Sequence, residues 1–392
     1  MARYLFLTWD GAGNQPPAVG IARALLRRGH HVTFAGYESQ REFFARRGLR
    51  FVLLEHSSAA WQRASPDSRL AAKVRTVWAS SSHFRDVPEL IARERCDALV
   101  VDCLMFGALA ATESAEIPTA VLVHSAPGAL MPPRGQFEAI LREPVNQMRI
   151  EAGRPTVETL WDAWALFPTL CTSIRELDPR ATDAPESFSY VGPVFEDVRP
   201  SGWQSPWMPE DPRPLVLVSF STGRDWDQSS RIQKTLDALA NRDCRILVTT
   251  GATETPITRV PPNAVLVRHV PHHAVLPHVR LTVTHAGHGT VAASLLYHVP
   301  MLFLPNLAAD QPILARQVQA LGAGLSLDGD HATPDDIRSS ADRLLADPSF
   351  AANARRLADA ISHSPSIPAV VSQLERLTMS AAIAGQRIPS SP

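Results

Sequence analysis

The segment Leu281-Thr282-Val283-Thr284 is apolar and β-branched. It runs into His285-Ala286-Gly287-His288-Gly289-Thr290 and then into Val291-Ala292-Ala293-Ser294-Leu295-Leu296. A buried strand, a turn with two glycines and a helix-forming run, in that order, read as one unit of a parallel α/β sheet. At such a turn the first amide N–H groups of the helix and its dipole face an anion. Glycine has no Cβ, so a phosphate oxygen can approach the backbone at Gly287 and Gly289. Thr290 offers a hydroxyl and His285 a ring N–H. No lysine follows the glycines, which excludes a P-loop. The plainer alternative is a turn whose glycines serve packing only.

The same order of elements recurs along the chain. Tyr4–Trp9 reads as a first strand. Pro16-Pro17 opens a helix whose apolar face is Ala18, Ile21, Ala22, Leu25 and Leu26, Gly29 closes it, and His31–Ala35 is the next strand. Phe51–Leu54, Ala98–Asp102 and Thr119–His124 are further strands. Asp102 and His124 therefore end parallel strands at the carboxyl edge, beside the turn Asp10-Gly11-Ala12-Gly13-Asn14, where such sheets bind ligands. That Gly-x-Gly turn is a weak nicotinamide signal, since no third glycine follows in the required place. Prolines crowd Gly192–Pro214, which reads as a stiff linker. A second series follows: Leu215–Phe220 with its turn Ser221-Thr222-Gly223, then Arg245–Thr250, Ala264–Val267, Leu281–Thr284 and Met301–Leu304. The expected boundaries are a first domain at 1–196, a linker at 197–213, a second domain at 214–364 and a helical tail at 365–392, whose packing back on the first domain is left open.

The chain has 392 residues and a formal net charge of −1, which leaves no electrostatic footprint for nucleic acid or an acidic membrane. Its four cysteines form no Cys-x-x-Cys pair, consistent with a reducing, cytoplasmic setting and no structural zinc. No apolar run reaches the length of a membrane span, and the short N-terminal apolar run is broken too early for a signal peptide. Between Pro127 and Thr169, helical pieces carrying Phe137, Ile140, Met148, Trp161 and Trp164 suggest a pocket for an apolar ligand or simply a cover for the core.

His269-Val270-Pro271, Val275-Leu276-Pro277-His278, the turn Thr284–Thr290, Val299-Pro300, Leu304-Pro305 and Asp310-Gln311-Pro312 occur in that order. Together they resemble the donor-binding signature of family 1 glycosyltransferases, most closely the bacterial enzymes that glycosylate natural products. Arg27-Arg28-Gly29-His30-His31-Val32 fits the same group. The resemblance implies a GT-B fold: two facing Rossmann-like, doubly wound domains with an interdomain cleft. It further implies that His285, Ala286, Gly287, His288, Gly289 and Thr290 hold a nucleoside diphosphate, with Ser221 and Thr222 flanking it. Asp310 and Gln311 would bond the sugar hydroxyls, and His269 and Val270 would meet the base, His269 standing where a stacking Trp is usual. The acceptor would be a small hydrophobic molecule, with Trp61, Trp78, Phe137 and His124 as candidate contacts. No cofactor or metal is expected beyond the nucleotide sugar, and a homodimer is left open.

One position departs from the family. The His expected three residues before the helix-opening proline is Asn14, and an amide takes no proton at neutral pH. The family's orienting Asp corresponds to Asp102. Three readings stay open: Asp10 or Asp102 is itself the base, His124 is the base, or the acceptor is acidic enough to need none. Plain structural roles also compete. Asp102 and Asn14 are both suited to capping a helix, and His288 to a structural role. The missing His motivates a rival reading, a non-catalytic auxiliary protein that activates a partner glycosyltransferase. A nucleotide-sugar epimerase or hydrolase on the same fold is a further rival.

Overall fold

The computed structural model describes the chain apart from residues 65–68, 197–202, 221–226, 252, 254, 307–309, 366 and 386–392. It divides into two compact units. The first comprises Met1–Ser173, Arg180–Glu196 and Pro365–Pro392, and the second Ile174–Pro179 and Asp197–Ser364.

The first unit is built on β1 (Arg3–Leu7), β2 (His31–Gly36), β3 (Arg50–Leu53), β4 (Ala98–Asp102), β5 (Thr119–Val123), β6 (Thr169–Cys171) and β7 (Phe188–Tyr190), in the order β3-β2-β1-β4-β5-β6-β7. Every pairing is parallel. The second carries β8 (Leu215–Ser219), β9 (Arg245–Thr249), β10 (Ala264–Val267), β11 (Val279–Thr284), β12 (Met301–Phe303) and β13 (Gly324–Ser326), ordered β10-β9-β8-β11-β12-β13 and again all parallel. Each sheet reverses its winding once, between β1 and β4 and between β8 and β11. In open α/β sheets the crevice at that reversal, outside the carboxyl ends of the strands, is where ligands bind.

Alternation along the central strands decides which core each side chain joins. Leu5, Leu7, Leu99 and Val101 enter one buried cluster, while Tyr4, Phe6, Ala98 and Val100 enter the cluster on the other face. Strands β6, β7 and β13 were not legible in the sequence. Each has three residues, too few for a periodic signal.

Helix α1 (Gln15–Arg27) begins with prolines in its first turn and ends before Gly29, whose φ is 83°. The second unit contributes α2 (Ser229–Leu239), α3 (His288–Leu296) and α4 (Gln311–Ala320). The long terminal helix α5 (Ile367–Gly385) counts with the first unit, packing on α1 and burying Val370, Val371 and Leu374 with Ile21 and Leu25. Glu375 on this helix meets Arg28 Nη2 and His30 Nε2, both at 2.8 Å. Residues 174–179, expected in the first domain, go with the second unit, where Gln317 Nε2 on α4 donates to Glu176 O at 2.7 Å.

Truncating Leu374 to Ala removes packing from a fully buried site and should cost about 2–5 kcal/mol. Glu375→Ala loses a partly exposed ion pair and should cost under about 1 kcal/mol. Urea unfolding of the two variants checks the ranking.

Candidate functional site

In the first unit the site grows around Asp102, the last residue of β4, which is 4% exposed. Its Oδ1 accepts Trp9 Nε1 at 2.9 Å and the Leu104 amide at 3.0 Å. Its Oδ2 accepts Asn14 Nδ2 at 3.0 Å and lies 3.2 Å from His124 Nδ1. Parallel pairing of β4 with β1 and β5 brings these residues together, since Trp9, Asp102 and His124 all stand at the ends of adjacent strands.

Asn14 sits at the N-cap of α1 but makes no side-chain cap bond. Its Nδ2 faces Thr8 Oγ1 at 3.3 Å and Trp9 O at 3.0 Å as well as Asp102, while its Oδ1 is buried without a partner among the described residues. The capping reading of Asn14 is therefore corrected: the amide serves the carboxylate. Asp102 likewise bonds the Leu104 amide rather than capping the next helix, whose N-cap is Met105. Gly11 leaves room for this network, because a Cβ there would lie 2.6 Å from the Trp9 ring and 2.9 Å from Asn14 Oδ1. That glycine serves packing, and the nicotinamide reading loses its support. Asp10 is exposed on the turn and stands apart from the Asp102 network.

Asp102, Cys103 and His124 place ligand-type atoms within 4.8 Å of one another. His124 Nδ1 and Asp102 Oδ2 are in ion-pair contact at 3.2 Å beside the thiol. Burial, reinforced by the Asp102 charge, pushes the Cys103 thiol well above its ordinary value and keeps it as S–H.

The expected aromatic contacts are partly brought together. Trp78 is buried and meets Trp9 edge-on at 5.4 Å and Phe137 at 5.5 Å. This row of rings leads away from Asp102 through Trp9. Trp61 is half-buried and packs against the same core. Sequence reasoning missed Trp9. Its signal was an indole N–H at the end of a buried strand, which needs an acceptor.

In the second unit β11 ends at Thr284 and α3 starts at His288, with the intervening turn beside the β8/β11 reversal. Ala286 holds the turn at φ 69°, an uncommon conformation for a residue with a Cβ. Gly287 is the N-cap, and a Cβ on it would lie 2.6 Å from His285 Nε2. Its glycine is thus demanded by the His285 ring. Gly289 differs: a Cβ there would meet nothing within 4 Å, so the space at the helix start is open. His285 is buried, with Nδ1 3.4 Å from Thr284 Oγ1. Burial, helped by the charges of Arg231 and His272, lowers it to about 4, so the ring is a neutral donor at pH 7. His272 is also lowered to about 4 by burial, and its Nε2 sits 3.1 Å from Ser219 Oγ. Arg231 on α2 escaped the sequence reading, yet it is a cation whose field reaches His285. His288 is buried in the first turn of α3, Thr290 is half-buried, His269 is exposed and Val270 is buried.

Asp310 is the N-cap of α4 and Gln311 its first residue. Gln311 Oε1 accepts the Asn306 amide at 3.0 Å, which leaves the NH₂ as the group it offers a ligand. Ser221 and Thr222 lie outside the described residues. The chain contains two Asp-x-Asp triplets, Asp225-Trp226-Asp227 and Asp328-Gly329-Asp330. Their described carboxylates have protein partners: Asp227 accepts from Ser229 and Thr255, Asp328 from the Asp330 and His331 amides, and Asp330 pairs with Arg231.

Gly289→Ala should leave thermal stability intact and weaken nucleoside diphosphate binding, read by calorimetry, because the methyl group would occupy the open space. Gly287→Ala should lower both. Equal binding by Gly289→Ala and wild type would remove the ligand from this turn.

Acid stability follows from burial. His83, His272 and His285 all sit at about 4 in the folded protein, against about 6.5 for an exposed histidine. The unfolded chain binds more protons between those values. This contribution is therefore complete above about pH 6.5 and lost as pH falls toward 4, by up to about 1.4 kcal/mol per pH unit for each ring. Urea unfolding at several pH values should show that slope, and His285→Asn should reduce it.

Residues 233–377 match the model of the erythromycin biosynthesis protein CIII-like C-terminal domain. The chain is 26% identical over 423 residues to 4'-demethylrebeccamycin synthase of Lentzea aerocolonigenes, covering 96% of this chain and 99% of that one. It is 33% identical over 215 residues to TDP-daunosamine transferase DnrS of Streptomyces peucetius, spanning 53% of this chain and about half of the relative, 48%. The solved glycosyltransferase of kitacinnamycin superposes with a TM-score of 0.77, covering 96% of this chain and 99% of that one at 22% identity, a likeness in fold. With two parallel sheets each reversing once, a histidine-bearing turn at the second reversal and these relatives, the chain has the GT-B fold and is similar to the family 1 glycosyltransferases of the bacterial natural-product type.

Proposed function

We propose that the protein is an inverting, metal-independent glycosyltransferase that moves a sugar, a deoxysugar by preference, from a nucleoside diphosphate to a small natural-product acceptor such as an aromatic polyketide or macrolide. The observation that carries this reading is the α3 N-terminus. Amide N–H groups, open space at Gly289 and a neutral His285 converge at the second sheet's reversal. An arriving or departing diphosphate is stabilised there by preorganised donors rather than by a bound cation. Asp310 and the Gln311 NH₂ suit sugar hydroxyls as acceptor and donor. In the first unit the half-buried Phe137 and Trp61, which border the core that holds Trp9 and Trp78, suit an apolar acceptor. A relative whose name specifies TDP-daunosamine supports a thymidine diphosphate donor, with uridine diphosphate the alternative.

In the reaction an acceptor hydroxyl attacks C1 of the sugar from the face opposite the phosphate. The new C1–O bond forms as the C1–O bond to phosphate breaks, and the nucleoside diphosphate leaves with the bonding pair. Among the described residues no helix is long and apolar enough to cross a membrane. We assign the reaction to the cytoplasm, where nucleotide sugars are made.

Calorimetric titration with thymidine and uridine diphosphate, followed by transfer assays with and without EDTA, tests the proposal. Binding, transfer unaffected by EDTA, and a product of inverted configuration are expected. His285→Ala should lower kcat about 10²–10³-fold, as loss of one such donor does elsewhere. Unchanged turnover in that variant refutes its role. Binding without transfer to any acceptor favours the auxiliary-protein reading that Asn14 motivates.

A further inference from the structure

We propose that His124 is the group that takes the acceptor's proton, and that Asp102, steadied by Trp9 and Asn14, is its positioning residue. The proposal rests on the glycosyl-transfer reading and completes it, since Asn14 occupies the place where a base is expected and cannot act as one.

Four contacts carry the argument. Both oxygens of Asp102 are engaged, Oδ1 by Trp9 Nε1 and the Leu104 amide, Oδ2 by Asn14 Nδ2 and His124 Nδ1. With two contacts on each oxygen, the carboxylate has no lone pair turned toward an acceptor. Asp102 therefore holds and does not take the proton. With Nδ1 3.2 Å from Oδ2, the carboxylate's charge favours the tautomer of His124 that carries its proton on Nδ1 and its basic lone pair on Nε2. The same division of labour operates wherever a buried carboxylate orients a catalytic imidazole.

Position agrees with this role. His124 follows the last residue of β5, next to β4, at the carboxyl edge beside the β1/β4 reversal. Its side chain is 12% exposed, whereas that of Asp102 is 4% exposed. The neighbouring Cys103 Sγ lies 3.7 Å from Nδ1 and, with the proton on Nδ1, serves it as a second, weak acceptor. Among the described residues no group orients the exposed Asp10 in this way. The asparagine at position 14 thus has a purpose: its NH₂ fills the side of Asp102 that faces α1, and its neutral amide leaves the carboxylate's charge to His124.

The step balances simply. As the acceptor oxygen bonds to C1, its proton passes to His124 Nε2. The imidazolium so formed is stabilised by Asp102 and later returns its proton to solvent.

The test compares wild type, His124→Ala and His124→Gln with TDP-glucose as donor and two acceptors, 4-nitrophenol, which is acidic, and benzyl alcohol, which is not. Both variants should lose about 10²–10⁴-fold in kcat/KM on benzyl alcohol, and far less on 4-nitrophenol. Added imidazole should restore part of the benzyl alcohol activity of His124→Ala, and thymidine diphosphate affinity should not change. Equal losses on both acceptors with no imidazole response, or full turnover in both variants, overturns the proposal. A second readout needs no turnover. The ¹⁵N shifts of His124 should report the Nδ1–H tautomer in wild type and its loss in Asp102→Asn, and an Nε2–H tautomer in wild type overturns the assignment. A wild type that binds nucleotide but transfers to no acceptor sinks the glycosyl-transfer reading instead, and the tautomer then decides the Asp102–His124 pairing by itself.

Discussion

A buried carboxylate is costly unless every lone pair finds a donor, and Asp102 meets that condition with an indole, a backbone amide, a side-chain amide and an imidazole. The arrangement of the first unit's ligand-binding edge follows from it. Trp9 is turned inward to donate, which places its ring against Trp78. Gly11 must lack a side chain to make room. Asn14 forgoes helix capping, and His124 is fixed in one orientation. Removing any one donor strands charge in a low-dielectric interior, a loss larger than the single bond.

The second unit handles charge in the opposite way. Its histidines His272 and His285 are kept neutral by burial, so the turn before α3 is built of dipoles. Backbone N–H groups and the α3 dipole need no counter-ion and no reorganisation when an anion arrives or is released. Among the described residues the full charge that registers on His285 is Arg231, itself paired with Asp330. Ala286 in the left-handed region is part of the same construction, since a turn of that shape directs the start of α3 toward the sheet's edge.

The two glycines of the turn show how far pattern reading reaches. Both were expected to admit a phosphate. Gly289 faces open space, whereas Gly287 is glycine because the His285 ring lies where its Cβ would be. Strand runs such as Leu281–Thr284 were visible because a parallel strand buried on both faces is continuously apolar, whereas β6, β7 and β13 were too short to show a pattern. The terminal helix was visible, but its place on α1 was not.

From local order alone came the alternation of strands and helices, the turn at His285–Thr290 and the absence of a histidine at position 14. Those are properties of neighbouring residues, and side-chain periodicity and backbone preference act over that range. Only the folded chain decided that Trp9, Asn14, Asp102 and His124 share one carboxylate, because their meeting depends on which strands lie side by side. Strand order is set by the packing of whole helices across both faces of a sheet, and no stretch of sequence carries it by itself.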